Sequence, residues 1–435
     1  MDATKGNIYS ILNGNKQFLI PVYQRYYSWD IEQCRRLWND IVDMQKKNKQ
    51  GHFVGSIVNI AEQAMPTGVQ KYMIIDGQQR MTTLTLLLIA LRDYAINHPE
   101  DISINSRRID NMLLKNEYEN GDERYKLLLT ENDRDILIRL VEKKPIPENT
   151  VSRLLTNHRF FVEQIEKNEL MPAEIYESIG KLQIVNITLD RAVDDAQAIF
   201  ESLNSTGKEL SESDLIRNYI LMGLENDEQS YVYEHFWRPM ELMFEYEKQD
   251  SVMDKFFRDY LTMKLTRIPK IDKVYEEFKL YHVNCEFSSV RDLCEDLLKY
   301  AKYYTDMVFA RSSNPVIKNL YVDVNDLRME VAFPFLLKVH NDCSEGLITE
   351  ENFIEILKMC ISYVFRRNIC DIPTNSLNKT FATLRNEIKQ DDYMNSIKAF
   401  FVLRDDYKQF PDDDKFEAAF VSRDIYNMRS RNYIL

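Results

Sequence analysis

The chain has 435 residues, 44% of them hydrophobic and 29% charged, which describes a globular protein large enough for more than one core. No apolar run approaches the length of a membrane span, and the opening MDATKGNIYS lacks the charged-then-apolar layout of a signal peptide. A net charge of −13 excludes a general basic footprint, so any DNA surface must be local; the candidates are Lys46–Lys49, Arg366-Arg367 and Arg423–Arg431, each of which also reads as a solvated face.

In chain order, Phe18–Tyr23 (FLIPVY) reads as a short strand broken by Pro21. The aromatic, hydrogen-bonding stretch Gln24–Trp29 follows it. Helical spacing then begins, with Ile31, Cys34, Leu37, Trp38, Ile41 and Val42 on one face and Asp30 with Gln33 as a capping box. His52–Ile60 reads as a second strand, and Tyr72–Ile75 as a third, buried one.

A turn at Asp76-Gly77 joins that third strand to a helix that is apolar on nearly every side from Leu84 to Leu91. Asp76 is expected as its N-cap, with Gln79 at the third helical position. Gly77 permits a close backbone approach or an unusual dihedral. The first-turn amides attract anions, phosphates above all, and Arg80 adds a positive fork. The junction is therefore either a phosphate cradle or a capped core helix carrying a surface arginine.

Beyond Ile96 the chain turns charged, helix-forming and poor in glycine. A helical insertion is expected over about 96–180, interrupted at Lys143–Pro147. Strand character returns at Leu182–Leu189, placed in the same sheet. Ala196–Asn218 reads as helix, turn and helix, with the turn at Asn204-Ser205-Thr206-Gly207, Ser211 and Asp214 as a capping box, and Asp214 paired with Arg217. From Met222 onward helix follows helix, and the recurring aromatic residues read as core stripes. The fold class expected is α+β, predominantly helical: a small mixed-sheet unit over 1–222, then an all-helical domain over 223–435.

The six cysteines form no C-x-x-C pair, so reduced thiols in a cytoplasmic protein are expected. The six histidines make no zinc-spaced cluster.

Three segments, Ile20–Trp29 (IPVYQRYYSW), Ile74–Leu84 (IIDGQQRMTTL) and Phe200–Asn218 (FESLNSTGKELSESDLIRN), together resemble the ParB-like N-terminal domain of GmrSD-type, modification-dependent restriction enzymes. Arg367–Leu384 resembles the helical region that follows it. The resemblance implies a ParB/sulfiredoxin-like core that binds and hydrolyses nucleoside triphosphates and governs attack on modified phage DNA. It implies that Asp76, Gly77, Gln78, Gln79 and Arg80 form the signature loop, with Thr82 and Thr83 beside it. Gln24 and Arg25 would face the same site, and Asn204, Thr206 and Gly207 would close it. Asp76 and Arg80 are the catalytic candidates. Asp76 would hold Mg2+ or position water, or serve only as a cap.

The implied partners are a nucleoside triphosphate, modified double-stranded DNA and an HNH nuclease domain or subunit, with self-association left open and no membrane expected. No His–Asn–His arrangement follows residue 385, so no nuclease site is expected in these residues. Arg429–Leu435 ends without a helix-stop signal, and the expectation is either a following nuclease domain or a stand-alone sensor. Two other functions stand beside the leading one: a non-catalytic DNA sensor whose loop holds DNA phosphate, and a helical interaction protein.

Overall fold

A computed structural model describes the chain except for residues 63–67, 168, 192, 205–209, 246–249, 404–407, 429 and 435. It divides into two compact units, Met1–Leu210 and Ser211–Leu435. The class is α+β and predominantly helical, with one mixed sheet near the N-terminus.

The first unit holds that sheet. Its strands are β1 (Asp2–Asn7), β2 (Lys16–Leu19), β3 (His52–Ala61), β4 (Gln70–Asp76), β5 (Leu127–Leu128) and β6 (Leu182–Leu189), in the order β1-β6-β3-β4-β2-β5. β1–β6 and β3–β4 are antiparallel; β6–β3, β4–β2 and β2–β5 are parallel. β2 is shorter than the FLIPVY run suggests. It ends at Leu19, because Pro21 has no amide to give a ladder. The Gln24 amide then donates to the Pro21 carbonyl, turning the chain away.

The helices of this unit are α1 (Ile8–Leu12), α2 (Ile31–Lys46), α3 (Gln78–Asn97), α4 (Ser106–Ile109), α5 (Glu131–Glu142), α6 (Arg153–Glu166), α7 (Pro172–Lys181) and α8 (Ala196–Asn204). α2 carries the expected capping box between Asp30 and Gln33. α3 is the centre of the unit: Leu84, Leu86, Leu87, Leu88, Ile89 and Leu91 are all buried. It packs against α6, while α2 packs on α6 and α7, so the helical insertion covers the face of α3 that a surface helix would leave polar.

The second unit is all helical among the described residues. Its first helix, Glu212–Met222, is capped by Ser211, whose hydroxyl accepts from the Asp214 amide. Asp214 pairs with Arg217 at 2.6 Å, as its spacing predicts, and Glu241 joins the same guanidinium. The aromatic residues form core stripes, with Trp237 stacked on Phe257 and Phe256 edge-on to Tyr304. No helix among the described residues is long and apolar enough to cross a membrane.

Candidate functional site at the β4–α3 junction

β4 ends at Asp76 and α3 begins at Gln78, leaving Gly77 as the N-cap. Asp76 therefore does not cap the helix, and no side chain does. The reason is backbone geometry: Gly77 has φ +91°, a left-handed conformation open to glycine, and a Cβ there would stand 2.8 Å from the Ser56 carbonyl oxygen. The first backbone bond of α3 is Met81 N–H to the Gly77 carbonyl at 2.9 Å. The amides of Gln78, Gln79 and Arg80 precede it and have no partner within the helix.

Gln79 is not the reciprocal half of a capping box. Its Oε1 accepts from the amides of Ser28 (2.8 Å) and Trp29 (3.3 Å), and its Nε2 donates to the Tyr26 carbonyl. The aromatic stretch after β2 is thus pinned onto the first turn of α3. Gln24 is buried and donates to the Ile75 carbonyl at 2.9 Å, which ties the same stretch to β4.

Two arginines flank the turn. Arg80 is half-buried, and its Nη1 donates to the Ser56 carbonyl of β3. Burial pulls the Arg80 guanidinium below its ordinary value, and the Asp76 charge opposes that pull. Arg25 shares a narrow crevice with Gln78, Gln79, Thr82, Thr130 and Asp133. Burial raises the Asp133 carboxyl above its ordinary value, while the Tyr27 amide, which donates to Oδ2 at 2.7 Å, holds it back.

Thr82 lines this crevice, but Thr83 faces the interior. Thr83 is fully buried, donates to the Gln79 carbonyl at 2.8 Å and meets the Tyr27 hydroxyl at 2.6 Å. Tyr27 in turn accepts from Asn157 Nδ2 of α6 at 3.0 Å. Asn204 lies at the end of α8, while its side chain, Thr206 and Gly207 lie outside the described residues.

The structure therefore brings Gln78 and Gln79 together with Arg25 and Thr82 in one crevice, sets Arg80 with Asp76 beside Gly77 and against β3, and assigns Gln24 and Thr83 supporting bonds. Sequence reasoning missed Gly55, Ser56 and Asp133. Gly55 carried a usable signal, since a glycine inside a strand marks a bulge or a close approach, and the β3 register shifts between Phe53 and Gly55. Asp133 carried none, because it belongs to the helical insertion.

No group of three potential metal-ligating side chains occurs among the described residues. Several side chains of the basic runs are engaged elsewhere. Arg367 is 1% exposed and donates to the Pro373 and Gln409 carbonyls, Arg366 pairs with Asp413, and Lys46 pairs with Glu169.

Residues 8–221 match the family model described as the GmrSD restriction endonuclease, N-terminal domain. No curated protein matches the chain.

Proposed function

Since residues 8–221 belong to the family of GmrSD restriction endonuclease N-terminal domains and so mark a restriction-system module, we propose that this module binds a nucleoside triphosphate at the β4–α3 junction and hydrolyses it to regulate that system. The observation that carries the reading is the glycine-held first turn of α3, with arginines on both flanks and a carboxylate at the strand end. Amides at a helix N-terminus and a guanidinium fork stabilise phosphoryl charge without reorganising. Gly77, lacking a side chain, lets β3 close on that backbone and so fixes the turn from which the amides project.

Asp76 is the residue that would hold a magnesium ion, which typically takes one or two carboxylates with phosphate and water completing its shell. Such an ion neutralises charge on the phosphates. Arg80 serves the phosphate edge, its fork steadied by Ser56, and Arg25 serves the crevice side.

The test is thermal stabilisation by nucleoside triphosphates with magnesium, and phosphate release, in the native chain and in Arg80→Ala and Asp76→Ala. Both signals fall in the variants if the reading holds. Variants that keep native folding, binding and turnover would sink it. Steeply salt-dependent duplex binding that needs Arg80 but no nucleotide would instead assign the turn to DNA phosphate.

A further inference from the structure

Two buried threonines line the crevice beside the first turn of α3 with their hydroxyls uncommitted. Thr82 is 2% exposed. Thr83 and Thr85 donate to the carbonyls four residues back at 2.8 and 2.9 Å, but the Thr82 hydroxyl bonds no described residue. Thr130 is 9% exposed and is the N-cap of α5, yet its side chain accepts no amide of that helix, the bond such a residue ordinarily makes. Buried hydroxyls are costly to leave unmade, so a shared partner is expected.

Asp133 faces the same crevice. Its Oδ2 accepts from the Tyr27 amide at 2.7 Å, while Oδ1 has no hydrogen-bond partner among the described residues. The crevice has a volume of about 10 Å³, close to the room one water needs and too little for a nucleotide base or a phosphate. Two hydroxyls and a carboxylate oxygen match the roughly three bonds that a buried water makes.

We propose that this crevice seats the water that attacks the triphosphate, with Asp133 as its general base and Thr82 and Thr130 as its positioning partners; the inference rests on the β4–α3 reading. Gln78 and Gln79 wall the crevice and also carry two of the first-turn amides proposed to hold phosphate, so water and phosphate meet at one turn. Asp133 takes a proton from the water as the water oxygen bonds to the terminal phosphorus. The bond from that phosphorus to its bridging oxygen breaks, and the electron pair leaves with the nucleoside diphosphate. The proton then passes from Asp133 to the released phosphate or to solvent. Burial raises the Asp133 carboxyl above its ordinary 3.8 against the pull of the Tyr27 amide, the direction that strengthens a base. The charged and titratable side chains that share the crevice with it are Arg25 and Tyr27, and burial keeps the Tyr27 hydroxyl protonated.

The test is single-turnover hydrolysis of nucleoside triphosphates with magnesium by the full chain at saturating nucleotide, alongside calorimetric binding. Asp133→Asn still accepts from the Tyr27 amide and sheds a buried charge, so its unfolding midpoint is unchanged or raised. It slows hydrolysis by about 100-fold or more while affinity stays within about twofold. The native rate falls as pH drops through the Asp133 titration, and Asp133→Asn loses that limb. Thr82→Val, which removes one hydroxyl, slows hydrolysis by about tenfold with affinity kept, and carries the test if Asp133→Asn does not fold. Native turnover in both variants, loss of affinity together with rate, or a native chain that binds triphosphate without hydrolysing it overturns the inference while nucleotide binding at the β4–α3 turn stands. A native chain that binds no triphosphate removes both.

Discussion

The guanidinium of Arg80 lies against the bare backbone of Gly55: a Cβ added there would stand 2.8 Å from Arg80 Cζ and 2.9 Å from Nε. Gly55 also has φ +113°, outside the range that side-chain-bearing residues adopt comfortably. The seat of the candidate phosphate-binding arginine is thus made by an absent side chain on the neighbouring strand. Gly55→Ala should destabilise the chain by about 1–3 kcal/mol in urea unfolding, through dihedral strain and displacement of Arg80. The double variant Gly55→Ala/Arg80→Ala should recover the steric part and retain the dihedral part. Strict additivity of the two single substitutions would show that the side chains do not couple.

Arg92, the residue directly after the apolar run of α3, is 2% exposed. It bonds Asp93 at 2.7 Å, Asp110 at 2.6 Å and the carbonyls of Leu140 and Val141 at 2.9 and 2.8 Å. It fastens the end of α5 to the central helix. Arg92→Ala takes the donor from two buried carbonyls and one of the cationic partners from each of two carboxylates, Asp93 keeping His158 and Asp110 keeping Lys115, and should cost about 3–5 kcal/mol. The measurement is denaturant unfolding; a loss below 1 kcal/mol, at the scale of an exposed pair, would show that the network is solvated.

The sheet was legible where strands are buried. β3, β4 and β6 announce themselves by apolar or β-branched runs, and β6 spans the predicted Leu182–Leu189. β1 was not legible, because DATKGN has no apolar alternation. It is an edge strand held to β6 by ladder pairs such as Asp2 with Thr188, and backbone pairing leaves no trace in side-chain pattern. β5, two residues long, is below the reach of periodicity. At the site, the Asp76–Arg80 cluster was legible from composition, but the choice between Asp76 and Gly77 as cap was not. That choice turns on the approach of Ser56, a contact 21 positions away in sequence. Likewise Gln79 faces Ser28 and Trp29, distant partners that outcompete a local capping bond.

Asp259 should give the helical unit a pH-dependent stability. Burial pushes its carboxyl up to about 7; Glu330 adds to the rise, while Arg258, Lys255 and a hydrogen bond with Tyr304 oppose it. The folded chain then holds this proton more tightly than the unfolded chain. The contribution is complete below the ordinary value of 3.8 and is lost as pH rises toward 7. Asp259→Asn mimics the protonated form. It should flatten this part of the stability profile between about pH 4 and pH 7 and be more stable than the native chain at pH 8. An unchanged slope in chemical unfolding across that window would refute the assignment.

Gln79 should matter through both ends of its amide. Its Oε1 takes two backbone amides and its Nε2 gives to a third residue's carbonyl, so the side chain closes the 26–29 segment onto α3. At 8% exposure, water cannot easily replace these bonds. Gln79→Ala should lower stability by about 2–3 kcal/mol, the cost of leaving several buried groups unmade. Gln79→Glu separates the two ends: it keeps an acceptor for Ser28 and Trp29 but sets a carboxylate oxygen against the Tyr26 carbonyl. It also adds negative charge where phosphate is proposed to sit, which should weaken triphosphate binding beyond its effect on folding. Hydrogen exchange at the Ser28 and Trp29 amides reads the first effect, and nucleotide titration reads the second. Faster exchange in Gln79→Ala, with near-native exchange and poor binding in Gln79→Glu, is the expected pair. Equal exchange in all three chains would mean that the segment is held by Gln24 and Tyr27 instead.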